Sequence, residues 1–81
     1  MIMTPKEKAK KETFVTLLEK LLKFDDRSEL IKLRYSVEAD DYGYLEKVIV
    51  FFEGGGVKHV NVTGDSSYCS ILLDVARAVY A

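Results

Sequence analysis

From Phe14 onward the first third of the chain places apolar residues at Phe14, Leu17, Leu18, Leu21 and Phe24, in steps of three and four. That is the stripe of an amphipathic helix. Thr4-Pro5-Lys6-Glu7 marks its start: threonine can cap, proline suits the first helical position, and Glu7 stands where a capping box wants a carboxylate. Lys6 to Glu12 adds only Ala9 to the stripe, so the first turns are expected to project past the core. Glu7 with Lys11, and Glu19 with Lys23, have the spacing of helical ion pairs worth roughly 0.3 kcal/mol each. Asp25-Asp26-Arg27-Ser28 closes the helix.

The period then changes. Ile31, Leu33, Tyr35 and Val37 alternate with Lys32, Arg34, Ser36 and Glu38, which reads as a strand with one wet face. Asp40-Asp41-Tyr42-Gly43 is a turn cluster, and Tyr44 to Glu53 is a second strand whose Val48–Phe52 run is apolar on both faces. Gly54-Gly55-Gly56 reverses the chain into a third strand, Val57 to Thr63. If the glycines form a three-residue loop, Val50 faces Val60 and Val48 faces Val62. Val48, Val50, Phe52, Val60 and Val62 then point inward, with Lys58 at the rim. Ile49 and Phe51 emerge on the other face, and Lys47 stays wet.

After Gly64, Asp65 or Ser66 stands at the N-cap position of a last helix, where a side-chain oxygen satisfies amides left unpaired in the first turn. Tyr68, Ile71, Leu72, Val75, Ala76 and Val79 make its inward stripe. Ser67, Ser70, Asp74 and Arg77 are expected to face water, with Ser67 one residue inside the helix. The order is therefore α-β-β-β-α: an α+β fold with a three-stranded antiparallel meander and both helices on one face.

Eighty-one residues, 48% hydrophobic and 31% charged, suit one soluble domain spanning 1–81. Val48 to Phe52 is the longest purely apolar run, too short to cross a bilayer. The N-terminus lacks the order of a signal peptide, and Cys69 stands alone, so no internal disulfide can form. Both features lead to an expectation of the cytoplasm. Net charge is close to neutral but uneven, with six lysines against three glutamates from Lys6 to Lys23 and eight acids against four bases from Phe24 to Glu53.

That inventory argues against most chemistry. A serine nucleophile needs a base within reach, and the single histidine, His59, belongs to the third strand, on the face away from the helices. Ser66 and Ser67 lie at that strand's far end. Cys69 reads as a small hydrophobe on the flank of the last helix. One histidine and one cysteine cannot close a zinc site, and the acids around Asp40 lack EF-hand spacing. Gly54-Gly55-Gly56 is followed by a strand rather than by Gly-Lys-Ser/Thr and a helix, so it is a hairpin and not a phosphate loop. No catalytic, metal or cofactor residue is expected.

The α-β-β-β-α order, over nearly the whole chain, resembles the double-stranded-RNA-binding domain. That family grips phosphate with a basic start to its second helix and a histidine-bearing loop between its first two strands. This chain departs from it at both places, with Gly64-Asp65-Ser66-Ser67-Tyr68-Cys69 and Asp40-Asp41-Tyr42. The stretch "VIVFFEGGGVKHVNVTGDSSYCSILLDVARAV" is similar to small accessory proteins of phages and integrative elements. That resemblance implies a setting, the anti-CRISPR and anti-defence proteins that bind a host enzyme.

The expected function is a non-enzymatic cytoplasmic protein-binding module, an inhibitor or regulator of a host or element-encoded protein. Its expected contact residues are Lys47, Ile49, Phe51 and His59 on the open sheet face, and Asp40, Asp41, Tyr42 and Tyr44 at the acidic turn. A homodimer through the sheet face would hide Ile49 and Phe51 equally well. The alternative is a nucleic-acid binder of the double-stranded-RNA type using Lys6, Lys8, Lys10 and Lys11.

Overall fold

The computed structural model describes residues 4–41, 43–62 and 67–80, with Ala39, Asp40 and Tyr44 described by their backbone alone. The order is α1 (Pro5–Lys23), β1 (Leu30–Asp40), β2 (Gly43–Phe52), β3 (Val57–Asn61) and α2 (Tyr68–Tyr80). The strands form one antiparallel sheet in the order β1-β2-β3. Both helices pack on the same face, and Val15, Leu18 and Leu22 of α1 meet Leu33, Val48, Val50, Ile71, Val75 and Val79 in one core cluster.

The helix starts follow local chemistry. Thr4 caps α1, its hydroxyl accepting from the Glu7 amide at 3.2 Å, and Pro5 takes the first turn, where its missing N–H costs nothing. At α2, the cap expected at Asp65 or Ser66 falls outside the described residues. Ser67 does what a cap does: its carbonyl accepts from the Ile71 amide at 3.0 Å, and its hydroxyl accepts from the Ser70 amide at 3.1 Å. Ser67 thus precedes the helix rather than standing inside it. Cys69 is exposed rather than packed on the helix's inner flank.

Two further expectations are corrected. Ile31 is exposed, and Leu30 takes the buried place, because β1 carries a bulge between Leu30 and Lys32 that turns the extra residue outward. In the second hairpin Phe51 pairs with Val57, Val50 with Lys58 and Val48 with Val60, two residues away from the pairing that a three-glycine loop would give. The connection is longer because Glu53–Gly55 wind into a 3-10 turn, closed by the Phe52 amide donating to the Gly56 carbonyl at 2.8 Å. Gly54 and Gly55 hold φ of 84° and 91°, a left-handed conformation that side chains disfavour. A shift of two residues preserves the faces, so Val48 and Val50 still point inward and Ile49 and Phe51 outward.

The largest departure concerns α1. Its buried stripe is Val15, Leu18 and Leu22, while Leu17, Leu21 and Phe24 remain 59%, 65% and 87% exposed. Six apolar residues between Phe14 and Leu22 span an arc wider than one contact with a sheet can cover. The helix turns its Val15–Leu22 side down and leaves the Leu17–Phe24 side unfilled.

Candidate functional site

The uncovered face of the sheet is built by odd residues of β2 and β3 and even residues of β1. Arg34, Ile49 and His59 form one row across the strands, and Lys32, Phe51 and Val57 form the next. Ser36, Lys47 and Asn61 make a third row, in which Lys47 also reaches Glu38 at 3.4 Å. Ile49 and Phe51 are half-buried by these neighbours, and His59 is exposed. A hollow of about 400 Å³ beside Phe51 is lined by Ile31, Lys32, Val57 and the loop glycines. The face is an apolar strip flanked by Lys32, Arg34 and Lys47, and among the described side chains Glu38 is the acid on it.

The edge strands differ. On β1, the Leu33 amide donates outward to Glu19 Oε1 of α1 at 2.8 Å, which covers one donor of that edge. On β3, Val62 and Gly56 bond to Glu46 and Phe52 of β2, which sets the alternation. Val57, His59 and Asn61 therefore turn their backbone N–H and C=O groups away from β2. Among the described residues no strand or side chain pairs with these groups, and the open face runs directly into this edge.

The structure brings Lys47, Ile49, Phe51 and His59 together. It does not join them to the acidic turn: Asp40 pairs with Gly43 at the far end of the first hairpin, about 20 Å along the strand from Ile49 at the usual rise per residue. Asp41 is exposed in that turn, and Tyr42 lies outside the described residues. Among the described residues no group of His, Cys, Asp and Glu could hold a metal ion, and no helix is long and apolar enough to cross a membrane.

Two features escaped sequence reasoning. One is a buried ionic contact on the inner face: Glu46 Oε1 accepts from Lys11 Nζ at 2.8 Å and from the Tyr35 hydroxyl at 3.0 Å. Glu46 Oε2 is buried and finds no hydrogen-bond partner among the described residues. Burial, then the hydrogen bond to Glu46 and its charge, push the Tyr35 hydroxyl far above the ordinary tyrosine range. Lys11 therefore is not a solvated lysine available to phosphate, nor does it pair with Glu7. Likewise Glu19 serves the Leu33 amide rather than Lys23, and the local pair on α1 is Lys8 with Glu12 at 3.9 Å. Tertiary partners outweigh helical neighbours whose attraction is a few tenths of a kcal/mol.

The other feature is the layer of helices. Phe14 and Tyr68 meet edge to face with ring centroids 5.0 Å apart, and the Tyr80 hydroxyl donates to Asp25 Oδ2 at 2.9 Å. The start of α2 is thus tied to the middle of α1, and its end to the residues just past α1. The helices run in the same direction. On this layer Leu17, Leu21 and Phe24 of α1 and Tyr68, Leu72 and Leu73 of α2 are exposed. The Arg27 amide, then the Tyr80 hydroxyl, hold the Asp25 carboxyl below its ordinary range.

Comparison with protein-family models, with curated proteins and with solved structures finds no match.

Proposed function

We propose that this chain is a non-enzymatic protein-binding module whose open sheet face receives an acidic surface of a partner protein. The observation that carries this reading is the pair of adjacent rows Arg34–Ile49–His59 and Lys32–Phe51–Val57 on a face that no helix covers. An aromatic and a β-branched side chain at the centre, ringed by Lys32, Arg34 and Lys47, have the makeup of an interface hot spot with a steering rim. The free backbone groups of Val57, His59 and Asn61 let an extended partner segment pair along β3 beside the same strip. Such a partner places carboxylates around an apolar anchor. The resemblance to mobile-element accessory proteins supports an inhibitor or regulator of a host protein as the setting.

The nucleic-acid alternative keeps Lys6, Lys8 and Lys10, which are exposed, but loses Lys11 to Glu46. The test of the leading reading is affinity capture from source cells with wild-type chain and with two variants. A stoichiometric partner lost with Phe51→Ala, and weakened by Lys32→Glu with Arg34→Glu, supports it. A partner held equally by all three, or recovery of RNA or DNA in its place, overturns it.

A further inference from the structure

We infer that the partner segment received by the open face binds as a fourth strand, an acidic extended stretch lying antiparallel along β3. The inference deepens the docking reading and rests on it, while its test reads the backbone rather than the side chains. Val57, His59 and Asn61 turn their N–H and C=O groups away from β2, because the pairs bonded across the hairpin are the alternate ones, such as Gly56 with Phe52 and Val62 with Glu46. Each outward-facing set lies roughly 7 Å from the next along the strand. An extended backbone meets that spacing with donors and acceptors together. A helix has already spent its backbone groups internally and cannot.

The two edges of the sheet are finished differently. On β1 a bulge between Leu30 and Lys32 breaks the line, and Glu19 of α1 takes the Leu33 amide at 2.8 Å. Bulges and covered edges are means by which proteins keep foreign strands away. β3 has neither. Its pairing with β2 runs without a shift from Val57 to Asn61, and it contains no proline. A lysine standing out in water would also deter pairing, but Lys58 is tethered on the inner side. Its Nζ donates to the Ala78 carbonyl of α2 at 3.0 Å and lies 5.3 Å from the centre of the Phe52 ring. The β3 edge is thus left unguarded where the β1 edge is closed.

Charge chooses the occupant. Among the described side chains the outer face carries Lys32, Arg34 and Lys47 against Glu38, which Lys47 holds at 3.4 Å, while Glu53 stands apart in the loop. β3 itself contains no acid, so a second copy paired along it brings none to this edge in any register and joins two cationic faces. A partner segment with carboxylates supplies what the face lacks. A glutamate opposite His59 meets the imidazole, and one opposite Asn61 leans across it toward Lys47, its neighbour on β2. An apolar side chain opposite Val57 extends toward the hollow of about 400 Å³ beside Phe51. Lys32 and Arg34, two strands further in, steer the segment rather than touch it. Antiparallel to β3, the stretch reads acid-x-acid-x-apolar.

The test titrates the full chain with a blocked synthetic peptide in which glutamate, glutamate and phenylalanine alternate with threonine. Wild type is expected to bind it, with amide hydrogen exchange slowed at Val57, His59 and Asn61. A peptide with lysine in place of glutamate should bind at least about tenfold more weakly. His59→Pro removes one outward N–H and none of the bonds to β2, at an edge position where proline is tolerated, so melting should show it folded. Its affinity for the peptide should fall at least about tenfold below that of His59→Ala, which loses the same side chain and keeps the N–H. If His59→Pro does not fold, the exchange of the three amides in wild type decides alone. No binding to wild type, unchanged exchange at those amides, equal affinity of the two variants, or preference for the lysine peptide overturns the proposal. So does self-association of wild type that His59→Pro abolishes and His59→Ala keeps, which would make a second copy the occupant. The docking face is judged separately: partner capture lost with Phe51→Ala but equal for His59→Pro and His59→Ala keeps the face and removes the fourth strand.

Discussion

Adjacent residues of β2 lead opposite lives. Val48 and Val50 are fully buried beneath both helices, while Ile49 and Phe51, one step along the same backbone, sit half-covered on the outer face. Both faces are apolar at their centre, so hydrophobicity alone does not distinguish core from surface. The neighbours do. The inner residues meet Leu33, Ile71 and Val75, which extend the apolar cluster; the outer ones meet Lys32, Arg34 and His59. An apolar centre that continues into more apolar surface is a core, and one that ends in a cationic rim is a surface for a partner.

The severest test of the inner face is Glu46, the buried charge among the described residues. Lys11→Met removes the ammonium group and leaves the Glu46 carboxylate buried with the Tyr35 hydroxyl alone, a loss of about 3 kcal/mol in denaturant unfolding. Glu46→Leu added to it should restore most of that, because a well-packed apolar pair costs no desolvation. If the double variant is as unstable as the single one, the contact positions α1 in some way beyond its electrostatics. Val50→Ala comes next. It opens a cavity in a fully buried site and should cost about 2 kcal/mol.

Tyr35→Phe removes a hydrogen bond to a carboxylate, about 1.5 kcal/mol at neutral pH. It also carries a pH signature. The folded state raises the hydroxyl's pKa, so the stability tied to it is fully present below the unfolded value of about 10. That stability is lost as pH rises through the folded value. Wild type should therefore lose stability above about pH 10 more steeply than Tyr35→Phe. Equal slopes would mean that the hydroxyl is not held in its neutral form. Ser67→Ala is smaller, about 1 kcal/mol, the usual cost of an N-cap.

The strand faces were legible because a period of two leaves each residue one of two sides, and a hairpin shifted by two residues keeps them. The α-β-β-β-α order followed from the same periodicities. The facing of α1 was not legible. Leu17 and Leu21 fit an amphipathic stripe as well as Val15 and Leu22 do, and only contact with the sheet chooses between them. Glu46 shares the inward parity of Val48 and Val50, but a glutamate at a strand end reads as wet by residue type, and its partner Lys11 lies 35 residues away. Of the candidate site, Lys47, Ile49, Phe51 and His59 share a face because they share the parity of paired strands. The acidic turn lies on the same hairpin but at its distant end, a separation that residue type alone does not reveal.

The smallest effect on stability belongs to the outer face, and it is the most telling. Phe51 is half-buried, flanked by Lys32 and Val57, and its ring contributes to a hollow rather than to the closed core. Phe51→Ala should therefore lower stability by less than about 1 kcal/mol, since truncation at the surface leaves water, not a void, where the ring was. Partner capture should respond in the opposite sense, losing at least about 1 kcal/mol of binding free energy as an interface anchor does. Thermal melting and titration of the same two variants, Phe51→Ala and Val50→Ala, put the neighbouring residues on one scale. If Phe51→Ala destabilises the fold as much as Val50→Ala does, the outer face is a second core, and the cationic rim loses its meaning as a docking surface.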